Sequence, residues 1–458
     1  MKSFILAGVS AAALLMAGSA FAQASSTIIQ TSNGGDTANV DQSGQTTGTA
    51  VSAITQGGAG NTANVTQADN AFSSTSSTSA IGQTGTGNTA SVNEQAAASS
   101  ITQSNTGNVA SYSQNYSQGG VQDTNVINQS GKNGAAFVTQ FDDNAASNIN
   151  QTSTNDVASV NQFNGSSTIA QTGKTDSAYV TQSGGSLSSQ SFVTQGGSGN
   201  AAYIQQVGDA GGAPYGSTTV VTQNGTNGVV NVTQPAYMAA SYVTQNSGNG
   251  NQATVNQTSY YGYSNVVQTG DANTANVAQT GALAGANETS TVVQYGADTA
   301  AVAQSGQGDA SSVTQGSATS HFLVGDLGNE SAGVTQTGKS DSSTVTQTAG
   351  TTPLTLGGFQ TASVDQTGNN DVSGITQTGF GNTASVTQTG NNDASSVSQS
   401  DSFEKAFLTQ NGMGDVSVIA QSGVLGVGGN TANVLQNNAM ATSVISQTGF
   451  GNLANVKQ

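Results

Sequence analysis

Apolar and polar positions alternate along this chain in short runs, and nearly every run closes on a glutamine, usually as Val-x-Gln or Ile-x-Gln. In one such run Asn382, Ala384, Val386 and Gln388 share one parity, while Thr383, Ser385 and Thr387 share the other. Successive side chains of a strand point to opposite faces, so this period of two predicts a strand with an Asn/Ala/Val/Gln face and a Ser/Thr face. Ser373, Ile375 and Gln377 repeat the arrangement one strand earlier. Between Gln377 and Asn382 lie four residues, of which Gly379 and Gly381 tolerate the positive φ of a tight turn. The unit is therefore a strand of about seven residues and a turn of about four.

The unit recurs. Glutamines stand eleven residues apart at 366, 377, 388, 399, 410 and 421, and the same interval holds from 129 to 162, from 223 to 245 and from 257 to 279. About 36 anchors of this kind run from Gln30 to Gln458. One such strand cannot bury its apolar face alone. Two units make a strand–turn–strand layer, and stacked layers bury the Ala/Val stripe between two sheets. The expected fold is all-β: a β-solenoid of about 18 two-strand layers of the cross-β type, filling residues 23–458. Asn and Gln would then stack rung on rung about 4.8 Å apart, their amides hydrogen-bonded along the axis. Insertions are expected near 68–82, 207–222, 280–293, 316–335 and 348–365. Pro214 and Pro353 fall in them and Pro235 directly follows Gln234, as a residue without an N–H should.

Composition supports assembly over ordinary globularity. Charged residues are 6% and aromatics 5% of the chain, there are only three prolines, and Cys and Trp are absent. Uncharged, Gln/Asn-rich and proline-poor sequences favour cross-β assembly. The net charge is −17, no Arg is present and the six Lys are scattered, so the basic footprint for nucleic acid is missing. Without Cys an exported fold cannot rely on disulfides. Residues 1–22 read as a secretory signal peptide: Lys2, an apolar run from Phe4 to Met16, and Ala20-Phe21-Ala22 before Gln23. No other apolar stretch is long enough to cross a bilayer.

With the repeat drawn out, the string Gln-x-Gly-x-Gly-Asn-x-Ala-x-x-x-Gln resembles the curlin repeat of the curli amyloid subunits. Full copies are Gln56-Gly58-Gly60-Asn61-Ala63-Gln67, Gln195-Gly197-Gly199-Asn200-Ala202-Gln206, Gln377-Gly379-Gly381-Asn382-Ala384-Gln388 and Gln447-Gly449-Gly451-Asn452-Ala454-Gln458. Looser copies start at Gln103 and Gln304. The resemblance implies a self-polymerising fibre subunit, exported through an outer-membrane channel with a periplasmic chaperone, nucleated by a partner subunit, and serving biofilm matrix, adhesion and colonisation. The chain is long for that family and lacks its leading Ser, with Asp371 and Ala441 at the two positions compared.

The residues expected to carry assembly are the glutamines and asparagines of the four full copies together with Gln399, and the turn glycines Gly58, Gly60, Gly379, Gly381, Gly449 and Gly451. Asp309 and Asp393 replace the motif Asn, and Asp142-Asp143 form an acidic pair. Stacked like charges would oppose rung addition, whereas a calcium-binding repeat would need a regular Gly-Gly-x-Gly-x-Asp frame that is missing. His321 has no nucleophile partner in register and the carboxylates are dispersed, so no catalytic residue, cofactor or metal site is expected. Tyr116, Tyr260, Tyr261 and Tyr263 could stack on sugars or fibrils. Two other classes stay open: a monomeric solenoid binding ice or carbohydrate through its outward Ser/Thr, and a non-amyloid adhesin stalk.

Overall fold

The computed structural model describes residues 23–458 apart from 32–33, 45–47, 69–75, 96, 115–122, 142–143, 184–188, 208–215, 236–237, 282–286, 317–328, 349–357 and 424–427. The signal-peptide reading, His321, Tyr116, Pro214, Pro353, the Asp142-Asp143 pair and the middles of all five expected insertions lie outside the described residues.

The described residues form 36 strands. Two compact units, Met1–Ser217 and Thr218–Gln458, divide them. In each unit the strands alternate between two parallel sheets. The first unit holds sixteen, from Gln23–Gln30 to Ala201–Val207, and the second twenty, from Thr218–Gln223 to Leu453–Lys457. Counted along the chain, odd strands pair only with odd and even only with even. Val372–Phe380, for example, pairs with Ala394–Ser402, and Thr361–Gln366 with Thr383–Gln388. Each unit is a parallel β-solenoid.

Register is set by the closing glutamine. Gln377 stands opposite Gln399 and Gln366 opposite Gln388, and the residues before them match one for one. Most strands have six or seven residues, with a few reaching nine to eleven where the turn is drawn into the ladder, as in Thr49–Ala59. Several begin earlier than the insertion bounds allow. Ser77–Thr86, Thr218–Gln223, Thr289–Gln294, Ser331–Gln336 and Thr361–Gln366 occupy the ends of those five segments. Parallel pairing with the neighbouring rung recruits residues that carry no anchor of their own.

Parity holds throughout. Asn382, Ala384, Val386 and Gln388 are buried, and Thr383, Ser385 and Thr387 are partly exposed. Ile54, Ile81, Ile101, Ile127, Ile149 and Ile169 form one apolar column of the first unit, each no more than 2% exposed. Fully burying such a side chain contributes roughly 1.5–3 kcal/mol.

The two sheets are distinguished by the inward residue four before the glutamine. Odd strands carry a hydroxyl or amide there, from Ser26, Ser52 and Ser79 to Ser395, Ser417 and Ser443. Even strands carry Ala, from Ala38, Ala63 and Ala90 to Ala406, Ala432 and Ala454, with Val230 the one departure. The true period is therefore two strands. The serines face the even glutamines across the core: Gln162 Nε2 donates to Ser167 Oγ at 2.7 Å and Gln234 Nε2 to Ser241 Oγ at 3.1 Å.

Turns share one conformational requirement. The residue seven before the glutamine has positive φ in strand after strand, whether it is Gly60 and Gly381 (67° and 66°), Asn155 and Asn392 (both 59°), or bulky Phe403 and Met440 (61° and 58°). Gly and Asn adopt this left-handed region readily and other residues at a cost of about 1–2 kcal/mol.

Candidate functional site

The side chains expected to carry assembly lie on the inner faces and form continuous columns. In the odd sheet of the first unit, each Nε2 donates to the next Oε1 at 2.8 Å from Gln30 through Gln56, Gln83, Gln103, Gln129, Gln151 and Gln171 to Gln195. In the second unit the odd ladder runs from Gln223 to Gln447 at 2.8–3.0 Å. Its even ladder runs from Gln234 to Gln458 at 2.7–3.2 Å and includes Gln388. The second N–H of each amide reaches a backbone carbonyl of the facing sheet, as Gln388 does to Val372 at 3.2 Å. In these three ladders the buried amides are thereby satisfied without water.

These ladders run one way. Every amide donates toward the C-terminal side. No described residue donates to Oε1 of Gln30 or Gln42, whereas Nε2 of Gln447 and Gln458 finds only the carbonyls of Thr431 and Thr442. Among the described residues the first rung thus presents acceptors and the last rung donors.

The motif asparagine ties turns together. Asn61 Nδ2 donates to the Gly57 and Gly85 carbonyls, and its Oδ1 accepts the Asn88 N–H at 3.0 Å. Asn382 repeats this with Thr378, Asp401 and Glu404. Asn200 N–H donates to Asp176 Oδ1, and Asn452 N–H to Asn430 Oδ1. Gln67, Gln206 and Gln399 occupy ladder positions, while Asn452 and Gln458 are exposed at the last rung. The glycines divide into two kinds. Gly60, Gly381 and Gly451 take the left-handed turn position, whereas Gly58, Gly379 and Gly449 have φ of 120°, 119° and 98°. At Gly379 a Cβ would meet the Asp401 carbonyl oxygen at 1.8 Å, so the neighbouring rung leaves no room for a side chain.

The acidic replacements extend well beyond Asp309 and Asp393. In the odd sheet of the second unit the asparagine position reads Glu288, Asp309, Asp341, Asp371, Asp393 and Asp415, all at most 1% exposed. Each Oδ1 from Asp309 onward accepts the backbone N–H of the next rung, at 2.9–3.1 Å. Oδ2 of Asp309, Asp341, Asp371 and Asp393 has no partner. Burial pushes Asp341 and Asp371 up to about 6, opposed by backbone N–H groups and reinforced at Asp341 by the Asp309 and Asp371 carboxylates and at Asp371 by that of Asp393. Glu288, Asp309 and Asp393 are raised by burial too. Spacing alone could have revealed this column, since each acid stands six residues before its glutamine.

One ladder is broken. In the even sheet of the first unit Glu94 takes the place of glutamine, accepting from Gln67 Nε2 at 2.6 Å and from Ser99 Oγ at 2.9 Å. Burial lifts its carboxyl to about 8 against those two bonds. Beside it Gln114 Nε2 turns out of the column to Asp123 Oδ2 at 2.8 Å. Tyr112 takes a valine position, its phenol pushed up by burial and by Asp123 and Glu94, its hydroxyl without a partner.

Among the described residues no group of three or more His, Cys, Asp or Glu is placed to hold a metal ion. No helix among them is long and apolar enough to cross a membrane. Tyr263 lies on the outer face, its ring 5.7 Å from that of Tyr242, and Tyr261 sits in a turn with φ of 60°.

Residues 360–390 and 374–400 match the family model of the curlin associated repeat. Residues 360–400 carry the curlin associated repeat. The matched stretch contains the full copy from Gln377 to Gln388, and the copies at 56–67 and 195–206 have the same inward amides, buried alanine and left-handed glycine. No curated protein matches the chain. The repeat and the solenoid together describe a structural protein.

Proposed function

We propose that this protein is a secreted subunit that polymerises into extracellular curli-like amyloid fibres, with the biofilm, adhesive and colonising roles such fibres serve. The observation that carries the reading is the one-way direction of the glutamine ladders, with acceptors at Gln30 and Gln42 that no described residue fills and donors at Gln447 and Gln458 that reach only backbone carbonyls. Exposed edges of this kind template further strands, and complementary ends favour head-to-tail addition over end-on-end dimers. The curlin repeat supports the same reading, as does the leader-like stretch at residues 1–22. On this reading the chain is exported through an outer-membrane channel with a periplasmic chaperone and is seeded by a nucleator subunit. Neither nucleic acid binding nor membrane insertion is part of this proposal.

The test follows thioflavin T fluorescence and fibre diffraction on residues 23–458 diluted from denaturant. A lag phase abolished by seeds, with reflections near about 4.7 and 10 Å, is the expected result. A stable β-rich monomer without fibres would sink the proposal and promote a solenoid that binds ice or carbohydrate through its outward hydroxyls. A non-fibrous surface array would point to an adhesin stalk.

A further inference from the structure

We propose that the acidic column of the second unit is a proton-operated switch of turn conformation: protonation of Asp341, Asp371 or Asp393 turns over the peptide joining the residues four and three before it. The switch belongs to the folded rung and does not depend on fibre formation.

Two turn forms stand side by side in the structure. At seven positions from Asn61 to Asn452 the column amide donates Nδ2 to the carbonyl four residues earlier, at 2.7–3.4 Å. That carbonyl points inward, and the residue after it has positive φ, from 75° at Asn105 to 120° at Gly58. Where the column holds aspartate, the same residue is Gly306, Gly338, Gly368, Gly390 or Gly412, and none of these has positive φ. The peptide then turns its N–H inward. Gly412 N–H donates to Asp415 Oδ2 at 3.2 Å, and the N–H groups of Gly338, Gly368 and Gly390 oppose the rise at Asp341, Asp371 and Asp393.

Donor and acceptor chemistry accounts for the pairing. An amide has an N–H to place and favours an inward carbonyl, whereas an ionised carboxylate only accepts and favours an inward N–H. A protonated carboxyl behaves as the amide does, one oxygen donating and the other accepting. Oδ1 of Asp341, Asp371 and Asp393 already accepts the N–H of the next rung, which leaves Oδ2 to carry the proton. Its donor is met once the carbonyls of Thr337, Thr367 and Thr389 turn inward, and glycine at 338, 368 and 390 adopts either φ.

Mixed steps show that the two forms lie close in free energy. Asn61 stacks on Asp36 and has the amide form, with Gly58 at 120°. Asn200 stacks on Asp176, donates its side chain to that carboxyl and leaves Gly197 outside the positive range.

The charges bearing on the column are its own, from Glu288 and Asp309 to Asp393 and Asp415. On the facing sheet Gln336, Gln366 and Gln388 reach the carbonyls of Ala310, Ser342 and Val372 beside it and carry no charge. Lys339 is exposed on its turn, and Asp365 lies on the outward face of the adjoining strand.

The test labels threonine carbonyls with carbon-13 and glycine nitrogens with nitrogen-15, which isolates the Thr–Gly peptides in nuclear magnetic resonance. Their shifts and couplings report the glycine φ. At neutral pH the peptides 337–338, 367–368 and 389–390 should differ from 378–379, which has the amide form. Acidification through about 6, where Asp341 and Asp371 titrate, should carry the first three to the 378–379 pattern. In the double variant Asp341→Asn, Asp371→Asn, peptide 367–368 should show the amide pattern at neutral pH and no longer respond to acid. If it keeps the acid pattern, the ladder and not the column sets the turn, and the proposal fails. It fails equally if the double variant switches while acid leaves the native chain unchanged. Asn382→Asp is the reverse exchange and decides the matter should the double variant not fold by circular dichroism. Peptide 378–379 should then leave positive φ at neutral pH, and an unchanged φ would overturn the proposal.

Discussion

Gln377 Nε2 donates to Gln399 Oε1 at 2.8 Å and to the Thr361 carbonyl at 3.1 Å, so a single amide joins two rungs and two sheets. Gln347 in turn donates to Gln377 Oε1 at 2.8 Å. Replacing Gln377 by Ala leaves a buried donor and a buried acceptor unpaired and opens a cavity. Each unpaired group costs about 1–3 kcal/mol, so Gln377→Ala should destabilise the folded chain by about 2–5 kcal/mol. Urea unfolding followed by circular dichroism checks this. A change below about 1 kcal/mol would show that the ladder is filled by water.

Glu94 should make the first unit acid-favoured. Its folded value near 8 lies above the ordinary 4.5. The folded state therefore binds the proton more tightly, and the stabilisation is complete below about 4.5 and lost as pH rises through about 8. Glu94→Gln restores the amide and should abolish that dependence. Thermal midpoints of both chains between pH 4 and 9 decide it, with parallel curves counting against the assignment.

The acidic column predicts a second, lower window. Asp341 and Asp371 are raised from 3.8 to about 6, so stability should be highest below about 3.8 and fall as pH rises through about 6. In the double variant Asp341→Asn, Asp371→Asn the fall between pH 4 and 7 should shrink. Unfolding midpoints at those two values provide the comparison.

Tyr112 buries a hydroxyl that has no partner, within the influence of the Asp123 and Glu94 carboxyls. Tyr112→Phe removes the unsatisfied group and keeps the ring, and should stabilise the protein by about 1–2 kcal/mol. Loss of stability would mean that the hydroxyl is satisfied in solution.

Two glycines in one strand should respond oppositely. Gly379→Ala drives a methyl into the Asp401 carbonyl and should cost about 2–4 kcal/mol, through overpacking and positive φ. At Gly374 a Cβ would meet nothing within 4 Å, so Gly374→Ala should be neutral or stabilise by about 0.5–1 kcal/mol. Equal effects in thermal melts would contradict the close approach at Gly379.

The parity of Asn382, Ala384, Val386 and Gln388 was enough to read the strand, the buried face and the stacking of amides, because period-two burial leaves a direct mark on sequence. Other features left fainter marks. The alternation of Ser373 with Ala384 becomes visible only when units are aligned in pairs, since either residue fits a strand alone. Phe403 and Met440 occupy left-handed turn positions that their chemistry does not advertise; the repeating ladder holds them there. Glu94 sits beside Gln95, and adjacent acid and amide cannot be assigned to the column by spacing alone. The break it makes emerged from three-dimensional pairing.

The amide columns have an electrical consequence. Backbone N–H and C=O groups in a sheet largely cancel, but from Gln223 to Gln447 and from Gln234 to Gln458 every side-chain amide is oriented alike. Their dipoles add along the stack, much as peptide dipoles add in a helix. Within the second unit the C-terminal edge accordingly acquires partial positive character and the opposite edge partial negative.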